Sequence, residues 1–167
     1  MKYFIGIPIP KIYKRKIEMI RAKYNFFTTE PHITLVPPPG LPDDDSFVKN
    51  IIDVCKKTKP FNIKLENLGQ FSNRVLYVIV KSSDLIWLHN EIYHKLNLEK
   101  EKKGYTPHLT VVKQRLGKPV NIERVKKDAA INLAPYPHFL LKSLVIYGQP
   151  KERSIYIPHM EIPFNID

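Results

Sequence analysis

The sequence predicts an α/β (α+β) fold built from two similar halves. Short β-branched apolar runs alternate with stretches of helical period, so strands and helices interleave along the chain. The strand and helix order of the first half returns from Val75 onward, which points to an internal duplication with two copies rather than a solenoid. A length of 167 residues is about one domain, enough to bury a sizeable core without disulfides.

Each element has its own signal. Tyr3–Ile9 reads as a buried strand closed by Pro8 and Pro10. Residues 11–24 read as a basic amphipathic helix with Ile12, Ile17, Ile20 and Ala22 as its apolar content. His32–Val36 is a strand, followed by the turn-rich Pro37-Pro38-Pro39-Gly40-Leu41-Pro42. Asp43, Asp44, Asp45 and Ser46 supply cap and first-turn acids for a helix to about Lys57, where Val48, Ile51, Ile52 and Cys55 share a stripe. Phe61–Leu65 alternates as a strand, extendable to Phe71, and the nearly all-apolar Val75–Val80 is a central strand. Ser82-Ser83-Asp84 caps a helix from Leu85 to about Lys100, with Leu85, Leu88, Ile92 and Leu96 facing the core and residues 100–103 as a solvated end. His108–Val112 is a strand, and Asn121 caps a short helix through about Ala130. Phe139–Tyr147 and Ser154–Ile162 close the chain as two strands.

Composition removes several classes of function. Lys plus Arg number 27 against 16 Asp plus Glu, a net charge of +11, while 43% hydrophobic residues argue for a folded chain. The positive field predicts an anionic partner. Cys55 is the sole cysteine, so an internal disulfide and a cysteine zinc cluster are excluded. The apolar run before Pro8 is too short for a signal peptide or a membrane span, which predicts a soluble protein of the cytoplasm, with no membrane partner. None of the six glycines lies in a phosphate-loop pattern.

The chemistry is carried by a repeated motif. Pro31-His32-Ile33-Thr34-Leu35-Val36 matches Pro107-His108-Leu109-Thr110-Val111-Val112, 76 residues later. Alternate strand residues share a face, so His and Thr project together while Ile33, Leu35, Leu109 and Val111 face the core. An imidazole can give or take a proton near neutral pH, and a threonine hydroxyl can donate to a phosphate oxygen. Two such pairs supply an acid, a base and two hydroxyls, sufficient for in-line displacement at phosphorus without a metal. Two imidazoles with no third ligand make a poor metal site, so no cofactor is expected.

The duplicated His-x-Thr resembles the signature of the 2H phosphoesterase superfamily. Residues 3–10, Arg74-Val75-Leu76-Tyr77-Val78, Leu85–Leu96, Tyr105–Val112, Ser143–Tyr147 and Glu161–Phe164 are similar to the 2′-5′ RNA ligase / RNA 2′,3′-cyclic phosphodiesterase family within it. The resemblance implies a bilobal, pseudo-twofold fold over residues 1–167, with two antiparallel sheets around a central cleft and helices outside. It implies His32 and His108 as the catalytic pair, with Thr34 and Thr110 on the phosphate. The implied reaction opens a terminal 2′,3′-cyclic phosphate on RNA to a 2′-phosphate, or in reverse makes a 2′-5′ linkage, in a monomer. Which histidine is the acid stays open. Lys113 stands where the family has arginine, and Arg115 would share its phosphate role if the strand continued. A prolyl loop, residues 37–40, replaces the family's aromatic and glycine and would reshape the cleft rim.

Phe4 is a candidate floor of the cleft and Tyr105 a candidate stacking partner for a terminal base, each with plain core packing as the alternative. His89 and His94 are five apart, do not stack on one helix face, and read as surface or boundary residues. His138 and His159 lie beside prolines and read as structural or exposed. Trp87 and Tyr93 read as packing. Lys11, Lys14, Arg15, Lys16, Arg21 and Lys23 form a basic helix face, either merely solvated or steering RNA. Two other functions stay open: cleavage of a small cyclic nucleotide or cyclic ADP-ribose phosphate, and RNA binding without catalysis.

Overall fold

The computed structural model describes residues 1–165, so the last two residues of the expected domain lie outside the described residues. The strands are β1 (Lys2–Pro8), β2 (His32–Val36), β3 (Phe61–Phe71), β4 (Val75–Lys81), β5 (His108–Lys113), β6 (His138–Leu141), β7 (Ser143–Gln149) and β8 (Ile157–Pro163). The α-helices are α1 (Lys11–Lys23), α2 (Val48–Cys55), α3 (Ser83–Lys95) and α4 (Ile122–Asn132). The strands form an eight-stranded sheet in the order β6-β3-β4-β5-β2-β1-β7-β8, and neighbours are antiparallel.

The order reads alike from both edges. β2 and β5 meet at the centre, β1 and β4 flank them, β7 and β3 come next, and β8 and β6 are the edges. Where two separate sheets were expected, hydrogen bonding makes one. Its centre is thin: among the described residues β2 and β5 are registered through the pair Ile33–Leu109. Side chains bridge the rest of this seam. α1 packs on β5 and α4, while α3 packs on β2 and α2. Each half's first helix therefore supports the motif strand of the other half.

Side-chain caps set the starts of α3 and α4. The Ser82 hydroxyl accepts from the Leu85 N–H, and Asn121 accepts from the Arg124 N–H, as their sequence positions predict. Asp44 instead caps a 3-10 turn at Asp45–Phe47, and α2 begins at Val48. Cys55 is buried in the core, and burial pushes its thiol up to about 12, which leaves it unreactive.

Four expectations need correction. The buried stripe of α1 is Tyr13, Ile17, Ile20 and Arg21; Ile12 and Ala22 fall out of that phase and are exposed. α3 stops at Lys95 rather than near Lys100, because Asn97 takes a φ of 53° and the Leu98 N–H turns back to the Tyr93 carbonyl. The expected strand at residues 139–147 is two strands broken at Lys142, β6 on the β3 edge and β7 beside β1. β8 starts at Ile157, three residues later than predicted.

Candidate active site

The two motif copies occupy matching environments. In each, His and Thr are half-buried and the aliphatic residues between and after them are buried. The helices cover the aliphatic side, so the four polar side chains stand on the opposite face. Registering Ile33 on Leu109 carries His32 opposite Thr110 and Thr34 opposite His108. The histidines thus take one diagonal of a square and the threonines the other. Diagonal neighbours in an antiparallel pair lie about 7–8 Å apart, so both histidines belong to one local site.

The prolines orient both rings. Pro31 and Pro107 hold the residues before them extended, which aims the carbonyls of Glu30 and Thr106 at the histidines. His32 Nδ1 lies 2.6 Å from the Glu30 oxygen, and His108 Nδ1 lies 2.8 Å from the Thr106 oxygen. A carbonyl only accepts, so Nδ1 carries the proton in both rings and Nε2 is left for chemistry.

Each imidazole also rests on a stacked aromatic pair. His32 lies 4.7 Å from Phe4 and 5.3 Å from Tyr147, which stack on each other at 4.5 Å. His108 lies 5.0 Å from Phe71 and 5.4 Å from Tyr77, which stack at 4.2 Å. The first pair is sealed, with Phe4 4% and Tyr147 0% exposed; Phe71 is 37% exposed. Behind His32, the Glu30 carboxylate accepts from the Tyr147 hydroxyl and pairs with Lys14.

The seam breaks the symmetry. At its first end, Thr34 and Leu35 offer their carbonyls to the Tyr105 hydroxyl and to His89 Nδ1, each at 2.9 Å. At the other end, the matching carbonyls of Thr110 and Val111 accept from the Arg21 guanidinium at 2.7 and 3.0 Å. A third Arg21 bond, 2.9 Å long, goes to the Thr29 carbonyl just ahead of β2. Neutral donors close one end of the seam and a buried cation closes the end beside His32. His32 is accordingly pushed down to about 4: burial is the largest cause, the Glu30 carbonyl opposes it, and the Arg21 charge adds to the fall. Arg21, lowered to about 10 by burial, stays charged at neutral pH.

The remaining sequence candidates fall as follows. Lys113 ends β5, exposed, opposite Val75. A bulge where β5 passes from Thr110 to Val112 turns Lys113, an odd step away, onto the face of Thr110 and Tyr77. The strand does not continue to Arg115. That side chain donates to the Phe27 carbonyl at 3.0 Å and lies over the Phe26 ring. Phe4 lies beneath His32, a floor with almost no surface of its own. Tyr105 stacks on His89 at 3.9 Å and packs against the core, the alternative to base stacking. His89 is 3% exposed, a correction to its surface reading. Arg21, at 6% exposure, likewise leaves the solvated face. His94, His138 and His159 are exposed and Tyr93 is buried, while Trp87 is exposed, a correction to its packing reading. The prolyl loop contributes Pro38 and Pro39 to a cavity of about 710 Å³ with Lys2, Arg153 and Tyr156, and Tyr156 packs edge-on against Phe4.

Arg21, Glu30, Phe71 and Tyr77 were not singled out as site residues in the sequence. Arg21 was findable: it shares the helical phase of Tyr13 and Ile17. Glu30 stands two residues before His32. Phe71 and Tyr77 need the β3–β4 register, which no local pattern gives.

Residues 8–152 match the family model described as the 2′-5′ RNA ligase superfamily. The chain belongs to that superfamily, the 2H phosphoesterases. A protein of Bacillus cytotoxicus provisionally named a phosphoesterase is 31% identical to this 2H phosphoesterase over 121 residues, 68% of this chain and 70% of the relative. One of Bacillus cereus strain B4264, named in the same way, is 31% identical over 118 residues, 66% of this chain and 69% of its own. Among solved structures, E. coli LigT complexed with 3′-AMP superposes with a TM-score of 0.65 at 17% identity, covering 98% of this chain and 97% of LigT. TT0787 of Thermus thermophilus superposes at 0.68 with 13% identity, covering 100% of both chains. At these identities the two structures establish the fold of this 2H phosphoesterase. Among the described residues no helix is long and apolar enough to cross a membrane.

Proposed function

We propose that this 2H phosphoesterase hydrolyses terminal 2′,3′-cyclic phosphates of RNA to 2′-phosphates by His/His acid–base catalysis, without a metal. The observation that carries the reading is that both motif histidines tie Nδ1 to a carbonyl and so leave Nε2 free, on one diagonal of the β2–β5 pair, with a buried cation on the carbonyl of Thr110 opposite His32. His32, held neutral, is the base: its Nε2 takes a proton from water as the water oxygen bonds to phosphorus. His108 is the acid: its protonated Nε2 gives a proton to the ribose 3′ oxygen as the bond from phosphorus to that oxygen breaks. Water and cyclic phosphate thus become a 2′-phosphate and a 3′-hydroxyl. Thr34 and Thr110 donate to the non-bridging oxygens, and Lys113 supplies a point charge. With a 5′-hydroxyl RNA end attacking phosphorus in place of water, the same displacement of the 3′ oxygen forms the 2′-5′ linkage. The protein acts as a cytoplasmic monomer whose two halves are lobes of one unit, each giving one His-x-Thr.

The net charge of +11 supports an RNA partner. A second reading, a small cyclic nucleotide as substrate, is favoured by the structural relative LigT having been crystallised with 3′-AMP, ATP and NADP+.

The test is incubation in EDTA with an RNA ending in 2′,3′-cyclic phosphate, followed by identification of the new end. A 2′-phosphate is expected, with turnover lost by about 10³-fold or more in His32→Ala and in His108→Ala. A 3′-phosphate, loss of activity in EDTA, or full activity in either variant would overturn the mechanism. Faster turnover of mononucleotides than of RNA ends would favour the second reading.

A further inference from the structure

We infer that Phe71 and Tyr77 form a stacking platform for the nucleobase of the nucleotide that carries the cyclic phosphate, on the His108 side of the site. The inference rests on the reading of the motif pair as a phosphate site, and it assigns a place to the rest of the nucleotide.

Three features support it. Of the two aromatic pairs, Tyr147 on β7 and Phe71 on β3 occupy equivalent register positions while Phe4 on β1 and Tyr77 on β4 do not, and the pairs differ in what covers them. Tyr156 lies edge-on against the first pair at 5.1 Å and closes it from solvent. The second pair has no such cover among the described ring contacts, and Phe71 keeps 37% of its surface exposed at the end of β3. An exposed ring beside a half-buried imidazole is a surface with affinity for another flat ring.

The platform is also held in place. Tyr77 lies directly over Gly69, where an added Cβ would come within 2.6 Å of the ring. Glycine here lets the ring lie flat on the sheet. Phe71 then stacks on Tyr77 and meets His108 edge-on, at an interplanar angle of 88°. A phosphate against His108 therefore begins about one ring away from the Phe71 face, and a ribose bridges that gap.

Finally, the surroundings suit a nucleotide. The Val75–Lys113 pair puts the exposed Lys113 in the row next to Tyr77 and Thr110, and Arg74 is exposed in the turn between β3 and β4. Cations beside an open aromatic face bind nucleotides rather than apolar ligands. Stacking uses the π-face that every base has, so the platform accepts all four bases and reads the presence of a base, not its identity.

The experiment compares Phe71→Ala with the unaltered enzyme on two substrates, a dinucleotide ending in 2′,3′-cyclic phosphate and a base-free ribose 2,3-cyclic phosphate. Loss of the stack should raise KM for the dinucleotide about 10-fold more than for the base-free substrate, with kcat changed alike on the two, and be rescued by Phe71→Trp. Equal loss on both substrates, or no change in KM, would overturn the platform. Calorimetric titration with a nucleoside 2′-monophosphate and with inorganic phosphate separates this outcome from a failure of the hydrolytic reading. Even if no substrate turns over, Phe71→Ala must weaken nucleotide binding alone; weakening of both, or of neither, rejects the platform.

Discussion

Arg21 and the pair Tyr105–His89 satisfy the same two backbone carbonyls in the two halves, one with a charge and the other without. A strict twofold site would make its histidines equivalent, and acid–base catalysis needs them unequal. The guanidinium supplies part of the inequality, because it sits at the His32 end of the seam. Its removal has two consequences. Arg21→Met leaves three carbonyls without donors, which costs about 3 kcal/mol or more in urea denaturation. It also removes a like charge from His32, so the acid limb of kcat/KM should move up from about pH 4 toward the ordinary value near 6.5, part of the way, since burial is the larger cause. Arg21→Lys keeps the charge and should hold the limb near its original place despite lost stability. An acid limb unmoved in Arg21→Met would show that the cation does not set the protonation of His32.

At the scale of elements, the halves repeat in ways the motif alone does not reveal. α1 and α3 both end on an asparagine in the left-handed region, Asn25 and Asn97, each with φ of 53°. In both, the next N–H reaches back to close the last turn, Phe26 to Arg21 and Leu98 to Tyr93, at 2.8 and 2.9 Å. Asparagine tolerates this backbone, whereas a β-branched residue does not, so Asn97→Val should cost about 1–2 kcal/mol by urea denaturation and Asn97→Gly only a few tenths. An unchanged midpoint in Asn97→Val would mean that the turn can relax. These residues also explain why α3 is shorter than its sequence predicts. The charged residues after Leu96 suit a helix by propensity, and the stop lies in one asparagine, a weaker signal than glycine. Lys142 is similar: the apolar run on both sides of it looks continuous, and only the pairing of β6 with β3 and β7 with β1 shows that the chain crosses the sheet there. Ser82 and Asn121 were legible because a cap acts within three residues of itself.

The whole molecule is one sheet with a weak middle, and its polar groups report on pH as a set. The twin motifs, their shared face and the duplication were readable from local alternation. The seam was not, because Arg21 and His89 act on carbonyls 90 and 54 residues away, beyond any local pattern. Burial holds both His32 and His89 below the ordinary histidine range, so the folded state binds fewer protons there than the unfolded chain. Their contribution to stability is therefore complete above about pH 6.5 and is lost progressively as pH falls toward 4. Asp44 and Asp128, held below the usual carboxylate range mainly by bonds from Ser46 and Lys23, lose their contributions only at lower pH. The interval from about pH 6.5 to 4.5 thus isolates the two histidines from these carboxylates. Urea midpoints measured at about pH 7.5 and 4.5 should fall markedly for the natural chain and much less for a His32→Gln, His89→Gln double variant, in which glutamine at position 89 can still donate to the Leu35 carbonyl. Parallel losses in the two proteins would mean that the histidines already take up protons in the folded state, and His32 would then lose its claim to be the base.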